Sequence, residues 1–494
     1  MTDTRADYIV VGGGTAGCVL AARLSADPAA RVLLLEAGGA ERTRAMAVPN
    51  AWPEAIGSAA DWGSVTTAQA EAGPAILPRG KTLGGSSAIN ALAHIRGHRA
   101  VYDRWPQGWR FADLLPYFQR SERADGRDPA LRGTAGPVPV AAVTDPHPAA
   151  RAFVEALTAA GYQRTDDLSG ARQEGIAWAD LAIADGQRVS AADAYLRPAL
   201  GRPNLTVRTG SFVTALRVRH GRCTGVSYVR DGVTRTADAA EVIVCAGAIG
   251  SAQLLMLSGI GPGGELRALG VEPAADVPGV GANLQDHPII VVSYAARAAL
   301  PASQYNHGEA YAALRSGVPG DYPDLHLFPI LLPVAPAGLE PPATGYALVA
   351  AVMAPDSRGT VRLASAVPDA APLIDPAFLT QDRDLDRLEA GLRIVRAAGA
   401  DPAFGAIRGA EVWPGPDVES SAGLCDYIRR GVGSYYHPAG SCAIGTAVDA
   451  QLRVHGIDRL RVADASVMPV IPNAHPNATV LAIAEKAADL IAAG

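Results

Sequence analysis

The sequence is short of lysine, of paired cysteines and of long apolar runs, and each shortage argues against a class of protein. Lys81 and Lys486 are the two lysines among 43 basic residues, and the formal net charge is −6, so neither nucleic acid nor an anionic membrane is an indicated partner. The five cysteines form no CxxC pair, which argues against a zinc site and a disulfide framework. No metal site is therefore predicted.

Signals for membrane insertion and export are also missing from the pattern. No stretch approaches about 18 consecutive apolar residues, the length from which a membrane-spanning helix is inferred. The first strand pattern begins near Tyr8, which leaves no room for a charged region, an apolar region and a cleavage site. We therefore expect a soluble, cytoplasmic protein, as a monomer or homodimer.

The composition that is present is that of a large globular protein. Apolar residues make up 49% of the chain and charged residues 19%, which is not the composition of a disordered chain. A length of 494 residues exceeds one small domain and favours roughly two to four compact units. The core can thus be large.

The amino terminus carries the pattern of a nucleotide-binding unit. Residues 7–17, DYIVVGGGTAG, place a β-branched apolar run before Gly12, Gly14 and Gly17, and a helical pattern follows until Pro28. The glycines permit a tight turn, close approach to a pyrophosphate and close packing of helix on strand. A second strand, RVLLLEAGG (31–39), contains Glu36 about 20 residues later, where a carboxylate can bind ribose hydroxyls. These features predict a Rossmann-like unit but do not separate FAD from NAD.

A second glycine-rich segment, RGKTLGGSSAIN (79–90), has a different context. It lacks the flanking strand and helix of the first segment, so it is not a second dinucleotide fold. Its small residues, Gly84 to Ser87, would let the backbone press against a flat or anionic group. A tight loop without a ligand is the alternative.

Residues 434–441, SYYHPAGS, place His437 where the chain turns at a proline. An imidazole can titrate near neutral pH, but a single histidine in a half-apolar setting is more often a structural residue than a catalyst. A catalytic interpretation needs a reaction partner elsewhere in the chain.

Considered together, these segments resemble the glucose–methanol–choline (GMC) oxidoreductases, a family of FAD-dependent enzymes. The resemblance runs through nearly the whole chain and is carried by six ordered segments: 7–17, 80–97 (GKTLGGSSAINALAHIRG), 247–262 (GAIGSAQLLMLSGIGP), 279–288 (GVGANLQDHP), 434–441 and 464–491 (DASVMPVIPNAHPNATVLAIAEKAADLI).

The resemblance implies a reaction and a set of site residues. Family members pass a hydride from an alcohol carbon to flavin N5 while a base removes the hydroxyl proton; His437 matches that base and His475 matches its partner on the alcohol oxygen. Tyr436, beside the base, is a candidate to line the substrate cavity or to gate access to N5, and packing is the commoner role of an aromatic residue. His287 and Asn283 are expected to be structural. The expected FAD contacts are Gly12, Gly14, Thr15, Ala16, Gly17, Glu36, Ala37, Gly84, Gly85, Ser86, Asn90, Val213, Asp464, Ala465, Asn477 and Thr479.

The chain departs from the family pattern at several positions. His94 replaces an aromatic residue, which is expected to alter the packing beside the flavin, and Gly250 and Ala252 replace the usual Asn and Pro. Members with covalent flavin carry histidine directly before the Asn that matches Asn90, whereas this chain has Ile89. We therefore expect non-covalent FAD.

The last segment predicts a helix that serves the flavin. PNATVLAIAEKAADLI (476–491) has apolar residues at helical spacing after a start near Asn477. Its positive amino end would stabilise the negative charge that develops near N1 and C2 of the reduced flavin.

The remaining pattern predicts an α/β fold with an α+β second domain. Residues 204–248 read as a β-ribbon that returns to the nucleotide unit, and 324–333, 346–355 and 359–365 are strand candidates for an antiparallel sheet over the flavin. Residues 385–400 form an amphipathic helix pattern. We expect an FAD-binding domain at 1–295, with parts contributing to the substrate domain, a substrate domain at 296–445, and a segment at 446–494 that returns to the FAD domain.

Three functions remain open from the sequence. The leading hypothesis is oxidation of a primary alcohol, aromatic or of medium chain length, with O2, a quinone or another carrier as electron acceptor. The second is a hydroxynitrile lyase, since some plant members use a similar histidine pair without flavin redox turnover. The third is a flavoprotein whose FAD is structural or a photochemical antenna.

Overall fold

The computed structural model of the protein describes residues 2–336 and 338–493. The strands of its two large sheets are Thr2–Val11 (β1), Val32–Leu35 (β2), Gly175–Trp178 (β3), Leu205–Arg208 (β4), Ser211–Arg219 (β5), Arg222–Arg230 (β6), Val233–Val244 (β7), Pro288–Ala296 (β8), Ala310–Leu314 (β9), Leu325–Ile330 (β10), Gly345–Val352 (β11), Arg408–Trp413 (β12), Gly433–Ser434 (β13) and Leu460–Val462 (β14). The longer helices are Thr15–Leu24 (α1), Phe111–Ser121 (α2), Pro148–Ala159 (α3), Gly247–Leu257 (α4), Asp382–Ala400 (α5), Ser421–Gly431 (α6) and Pro476–Ala492 (α7).

The first sheet contains the predicted nucleotide unit. Its strand order is β4-β2-β1-β7-β6-β5, and β14 pairs with β7. Parallel pairing joins β4 to β2, β2 to β1, β1 to β7 and β7 to β14. Antiparallel pairing joins β5, β6 and β7 in a meander. All four residues of β2 are buried, as expected for a central parallel strand covered on both faces. The predicted parallel sheet and the ribbon at 204–248 are confirmed.

The second sheet is antiparallel throughout. Its order is β12-β8-β11-β10-β9-β3, and β13 pairs with β8. Two of the three strand candidates, 324–333 and 346–355, supply β10 and β11, and every residue of β11 is buried. The third candidate was wrong as a member of this sheet, because Thr360–Arg362 pairs with Leu373–Asp375 in a separate two-stranded ribbon.

The carboxy-terminal segment joins the first sheet, as expected. Strand β14 pairs with β7, and α7 packs beside α1 and α2. A buried carboxylate, Glu485 of α7, is 2.7 Å from Nη2 of Arg23 in α1 and 2.8 Å from Nε of Arg120 in α2. The side chain of Glu485 is fully buried, and its two ion pairs connect α7, at the end of the chain, to α1 and α2.

The domain limits at 1–295, 296–445 and 446–494 stay predictions. The strand β8 crosses the first of these limits, and β3 contributes to the second sheet from the amino-terminal part of the chain. Within the part of the chain that the structure describes, no helix has the length and apolar character needed to cross a membrane.

Candidate active site

The first glycine-rich turn connects β1 to α1 as predicted. Gly12 has a φ of +99°, and a Cβ added there would lie 2.6 Å from the Cys245 carbonyl oxygen. A Cβ on Gly17 would lie 1.8 Å from the Gly12 carbonyl oxygen, so only glycine fits there. Helix α1 begins at Thr15 without a side-chain cap, which leaves the amide groups of its first turn free to bind an anion.

The second glycine-rich segment lies directly against the first. The amide of Gly84 donates to the carbonyl of Gly13 at 2.7 Å. Gly85 has a φ of +52°, and a Cβ added there would lie 2.6 Å from the Gly14 Cα. A short helix, Ser86–Ile89, follows this contact. The two predicted loops therefore form one narrow cradle of the kind that a diphosphate needs, and the residues present fit FAD at this place.

The predicted ribose-binding residue lies at the same cradle. The Oε2 atom of Glu36 accepts from the amide of Gly13 at 2.7 Å, and Oε1 accepts from the amide of Gly38 at 2.7 Å. Burial raises the pKa of this carboxyl to about 7, against the opposing effect of the two amides. The amide of Ser211, two residues before Val213, donates to the Glu36 carbonyl at 2.8 Å. The roles of Val213 and Ala37 toward the adenosine stay predictions.

The carboxy-terminal segment meets the cradle from the other side. The side chain of Thr15 donates to Oδ1 of Asn477 at 2.9 Å, and Thr479 lies 2.8 Å from the Tyr102 hydroxyl. The helix begins one residue before the predicted Asn477, and its N-cap is His475. The reason is Pro476, which suits the first helical position because it needs no amide donor there.

The carboxylate of Asp464 is occupied by the protein itself. It accepts from Ser251 at 2.5 Å and from the amides of Gly247 and Ser466 at 2.8 Å each. The next residue, Ala465, accepts from the amide of Gly440, which joins this segment to the loop that follows His437. The roles of Asp464 and Ala465 toward FAD stay predictions.

The two predicted catalytic histidines, His437 and His475, lie together although they are 38 positions apart in the sequence. Their ring centroids are 5.2 Å apart and the planes are inclined by 77°. The Nε2 atom of His475 is 3.0 Å from the Tyr435 hydroxyl, which leaves Nδ1 as its remaining ring nitrogen. A pair of imidazoles at this separation can flank a single oxygen atom.

A third histidine, His287, was expected to be structural but contacts the predicted base. Its Nδ1 lies 2.9 Å from Nδ1 of His437, with the ring planes nearly perpendicular at 89°. Two further side chains that the sequence did not indicate, Tyr311 and His326, lie 5.1 and 5.9 Å from the His475 ring. Their strands are far from His475 in the sequence, and no local pattern marks them.

The tyrosine beside both histidines is Tyr435. Its ring centroid is 4.3 Å from that of His437 and 5.3 Å from that of His475, and it stacks on Phe328 at 5.1 Å. Tyr436 has a φ of +66°, and its carbonyl accepts from the guanidinium of Arg79 at 2.6 Å. The predicted cavity role of Tyr436 stays a prediction. No alternation pattern marked Tyr435 beforehand, because the positive φ of Tyr436 interrupts the extended chain between Tyr435 and His437.

Burial keeps the histidines of this cluster neutral near pH 7. Burial lowers the pKa of His437 and of His475 well below 6.5, and neighbouring histidines lower both further. Burial also lowers the pKa of His287 to about 3 and that of His326 to about 4. An imidazole that stays neutral can accept a proton from a substrate.

The contact between the two Nδ1 atoms also bears on where the proton of His437 resides. Between two neutral rings, one Nδ1 must donate and the other must accept. Nε2 of His287 has no hydrogen-bond partner among the described residues, so the contact allows either ring to be the donor. A general base needs a lone pair on Nε2 of His437, and this requires His437 to donate from Nδ1 to an accepting Nδ1 of His287.

His94, which replaces the usual aromatic residue, is held by a buried carboxylate, and its expected effect on the packing beside the flavin stays a prediction. Its Nε2 lies 3.0 Å from Oε2 of Glu122, a carboxylate that also binds Arg96 and Arg132 in a fully buried group. Burial alone would raise the pKa of Glu122, but the hydrogen bond from His94 and the two guanidinium charges hold it below its usual range. This departure from the family pattern is tied to a buried ionic network.

Sequence models described as GMC oxidoreductase match residues 6–289 and 355–484 of the chain. The chain belongs to this family. It is therefore an FAD-dependent oxidoreductase that acts on CH–OH groups, as expected, and its mixed α/β architecture is that of the family. The comparisons give no support to the lyase alternative.

GMC oxidoreductases similar to this chain include enzymes for several alcohols. Oxygen-dependent choline dehydrogenase of Rhizobium etli is 36% identical over 99% of this chain and 95% of its own, and mitochondrial choline dehydrogenase of Homo sapiens is 37% identical over 98% and 89%. The solved pyridoxine 4-oxidase from Mesorbium loti is 36% identical, with a TM-score of 0.95 and 99% coverage of both chains. A fungal aryl-alcohol oxidase is 25% identical, with a TM-score of 0.85 and 98% coverage of both.

Proposed function

We propose that this GMC oxidoreductase oxidises an uncharged primary alcohol to the aldehyde, with His437 as base and His475 as the second hydrogen-bonding group. The observation that carries the proposal is the neutral imidazole pair, 5.2 Å between centroids, in which His287 occupies Nδ1 of His437. The Nε2 atom of His437 takes the hydroxyl proton, and Nδ1 of His475 hydrogen-bonds the same oxygen. Bound FAD supplies the acceptor for the hydride that leaves the carbon.

The residues of the cradle would hold the cofactor. The free amides at the start of α1 bind the diphosphate, Glu36 binds the adenosine ribose, and the small residues Gly84, Gly85 and Ser86 let the backbone approach. The proposed attachment is non-covalent, because Ile89, directly before Asn90, is an aliphatic side chain buried beside Ala45, Met46 and Ala55. Acid precipitation of the holoenzyme should therefore release all of its flavin into the supernatant.

The charges around the histidine pair favour a substrate without positive charge. The neighbouring histidines are neutral near pH 7, and the guanidinium of Arg79 is a positive charge that acts on His437. The carboxylate of Asp286 is close but accepts from Ser434 and from the amides of His287 and His437. Aromatic faces can bind a cation, but the positive charge of Arg79 opposes one here and every oxygen of the Asp286 carboxylate already accepts from the protein.

The side chains beside the pair favour an aromatic substrate. Phe328, Tyr435 and Tyr311 present rings within 5.3 Å of one another or of His475. Planar substrates stack well on such rings. An aryl alcohol therefore fits this surface better than choline, and a medium-chain alcohol is the second candidate.

The experiment is anaerobic mixing of the purified holoenzyme with a panel of alcohols. Benzyl alcohol should bleach the oxidised flavin band, n-hexanol should do so more slowly, and choline should fail at the same concentrations. Admission of air afterwards distinguishes O2 from a quinone as acceptor, since rapid return of the band indicates an oxidase. Flavin that no alcohol bleaches would reject the proposed function, and preferential bleaching by choline would reject the substrate class.

A further inference from the structure

Three helices of the described chain begin after a histidine in the N-cap position, namely His98, His147 and His475. In the first two, Nδ1 of the histidine accepts from the backbone amide two residues later, at 3.3 Å in His98 and 3.1 Å in His147. This bond satisfies one of the amides that a helix start leaves free. A neutral imidazole that accepts at Nδ1 carries its proton on Nε2, and Nε2 of His147 accordingly lies 3.0 Å from the Pro301 carbonyl oxygen.

His475 has the same local setting as His147 but does not cap its helix. Both residues precede a proline, and their backbones are similar, with φ of −57° and ψ of 146° in His147 and φ of −61° and ψ of 124° in His475. Within the described part of the chain, no hydrogen bond joins the His475 side chain to the start of α7, and its Nδ1 has no partner. The ring lies instead beside that of His437. A contact outside the local backbone therefore sets its orientation.

That contact is the hydroxyl of Tyr435, which lies 3.0 Å from Nε2 of His475. A phenol is an acid with a pKa of about 10, whereas an imidazole nitrogen is a base with a pKa of about 6.5, so the stable bond runs from O–H to the ring nitrogen. The Tyr311 hydroxyl is also a hydrogen-bonding neighbour of Tyr435, but its oxygen is a weaker acceptor than an imidazole nitrogen. Tyr435 thus donates to Nε2, and the proton of His475 lies on Nδ1.

We propose that Tyr435 is a positioning residue, which holds the ring of His475 away from its own helix and fixes the ring proton on Nδ1. The Nδ1–H group can then donate to the alcohol oxygen, whereas Nε2 of His437 accepts from it, so the two imidazoles have opposite roles. The amide of Asn477, which a cap by His475 would occupy, is not used in this way. The proposal rests on the proposed function, in which His475 hydrogen-bonds the substrate oxygen.

The first readout is the nitrogen NMR spectrum of holoenzyme that carries isotope-labelled histidine, and it requires no alcohol. The signals of His475 are assigned by their absence in His475→Asn. In the wild type, Nδ1 of His475 should carry the proton. In Tyr435→Phe, which keeps the ring and loses the hydroxyl, the proton should move to Nε2, as in His147, because Nδ1 then caps α7. The matched control is Tyr427→Phe, which loses a buried hydroxyl that donates to the Val291 carbonyl at 2.8 Å, and it should leave the His475 signals unchanged.

The second readout is a double-mutant cycle on the rate constant of anaerobic flavin reduction by benzyl alcohol. Tyr435→Phe alone should lower this rate constant about 5- to 50-fold. In a His475→Ala background, the same substitution should change it by less than about twofold, because Tyr435 acts through His475. A side chain that only supports the fold would give the same loss in both backgrounds.

Each outcome decides the proposal. A wild-type His475 with its proton on Nε2 overturns it, and so does a Tyr435→Phe spectrum identical to that of the wild type. Equal losses in the two backgrounds of the cycle also overturn it. If no alcohol reduces the flavin, or if His475→Ala alone keeps the wild-type rate constant, the proposed function is wrong, and the histidine spectrum still decides whether Tyr435 positions the ring.

Discussion

Replacement of His287 tests whether the proton position on His437 is set by its neighbour. His287→Leu removes the acceptor that faces Nδ1 of His437 at 2.9 Å, and it leaves a buried N–H without a partner. A buried donor that loses its acceptor costs about 1 to 3 kcal/mol. His437 regains part of this by moving its proton to Nε2, which removes the lone pair that the substrate needs. We therefore expect the rate constant of flavin reduction to fall about 10- to 100-fold.

His287→Asn is the matched control for this prediction. The Oδ1 atom of an asparagine can occupy roughly the place of the imidazole Nδ1 and accepts a hydrogen bond there. Its rate constant should lie within about threefold of the wild-type value. The assay is anaerobic stopped-flow reduction with benzyl alcohol at saturation, on variants with equal FAD content. Equal losses in the Leu and Asn variants, or no loss in either, would refute the reasoning.

Three further predictions concern pH, the buried ionic network and the cradle. Because the pKa of His437 lies well below 6.5, the rate constant of flavin reduction should stay level from pH 8 to pH 6.5 and decline only below that; a decline centred at pH 7 or above would contradict this. Glu122→Gln removes the carboxylate that Arg96 and Arg132 share. The free energy of unfolding, measured by denaturant titration with saturating FAD, should fall by about 3 to 5 kcal/mol. A fall of less than about 1 kcal/mol would contradict the prediction. Gly85→Ala should abolish FAD retention, since the new Cβ meets Gly14. Gly126→Ala, at a positive φ but in open space, should keep its FAD. Equal FAD content in the two purified variants would contradict the proposed cradle.

The sequence predicted those parts of the molecule whose patterns are local. The β1–α1 turn, Glu36 and the return of the last segment were predicted because a glycine spacing, a strand end and a helical repeat each mark them within a short stretch. The two glycine-rich segments were each recognised, but their contact at Gly14 and Gly85 was not, because it joins residues 71 positions apart in numbering.

The histidine cluster shows why the rest was not predictable. Its members come from β10, the loop before β8, the segment after β13 and the residue before α7, and pairing between distant strands brings them together. His287 resembled a structural loop residue until its Nδ1 was placed against His437. Tyr435, and not the neighbouring Tyr436 with its positive φ, stacks in the cluster.

The most direct test of the account is single-turnover reduction of FAD-replete His437→Ala by benzyl alcohol without oxygen. The account predicts that FAD stays bound while the rate constant for loss of the oxidised flavin band falls by about 10² to 10⁴, the usual contribution of a general base. A rate constant close to that of the wild type would show that this imidazole does not take the hydroxyl proton, and the central claim would be wrong.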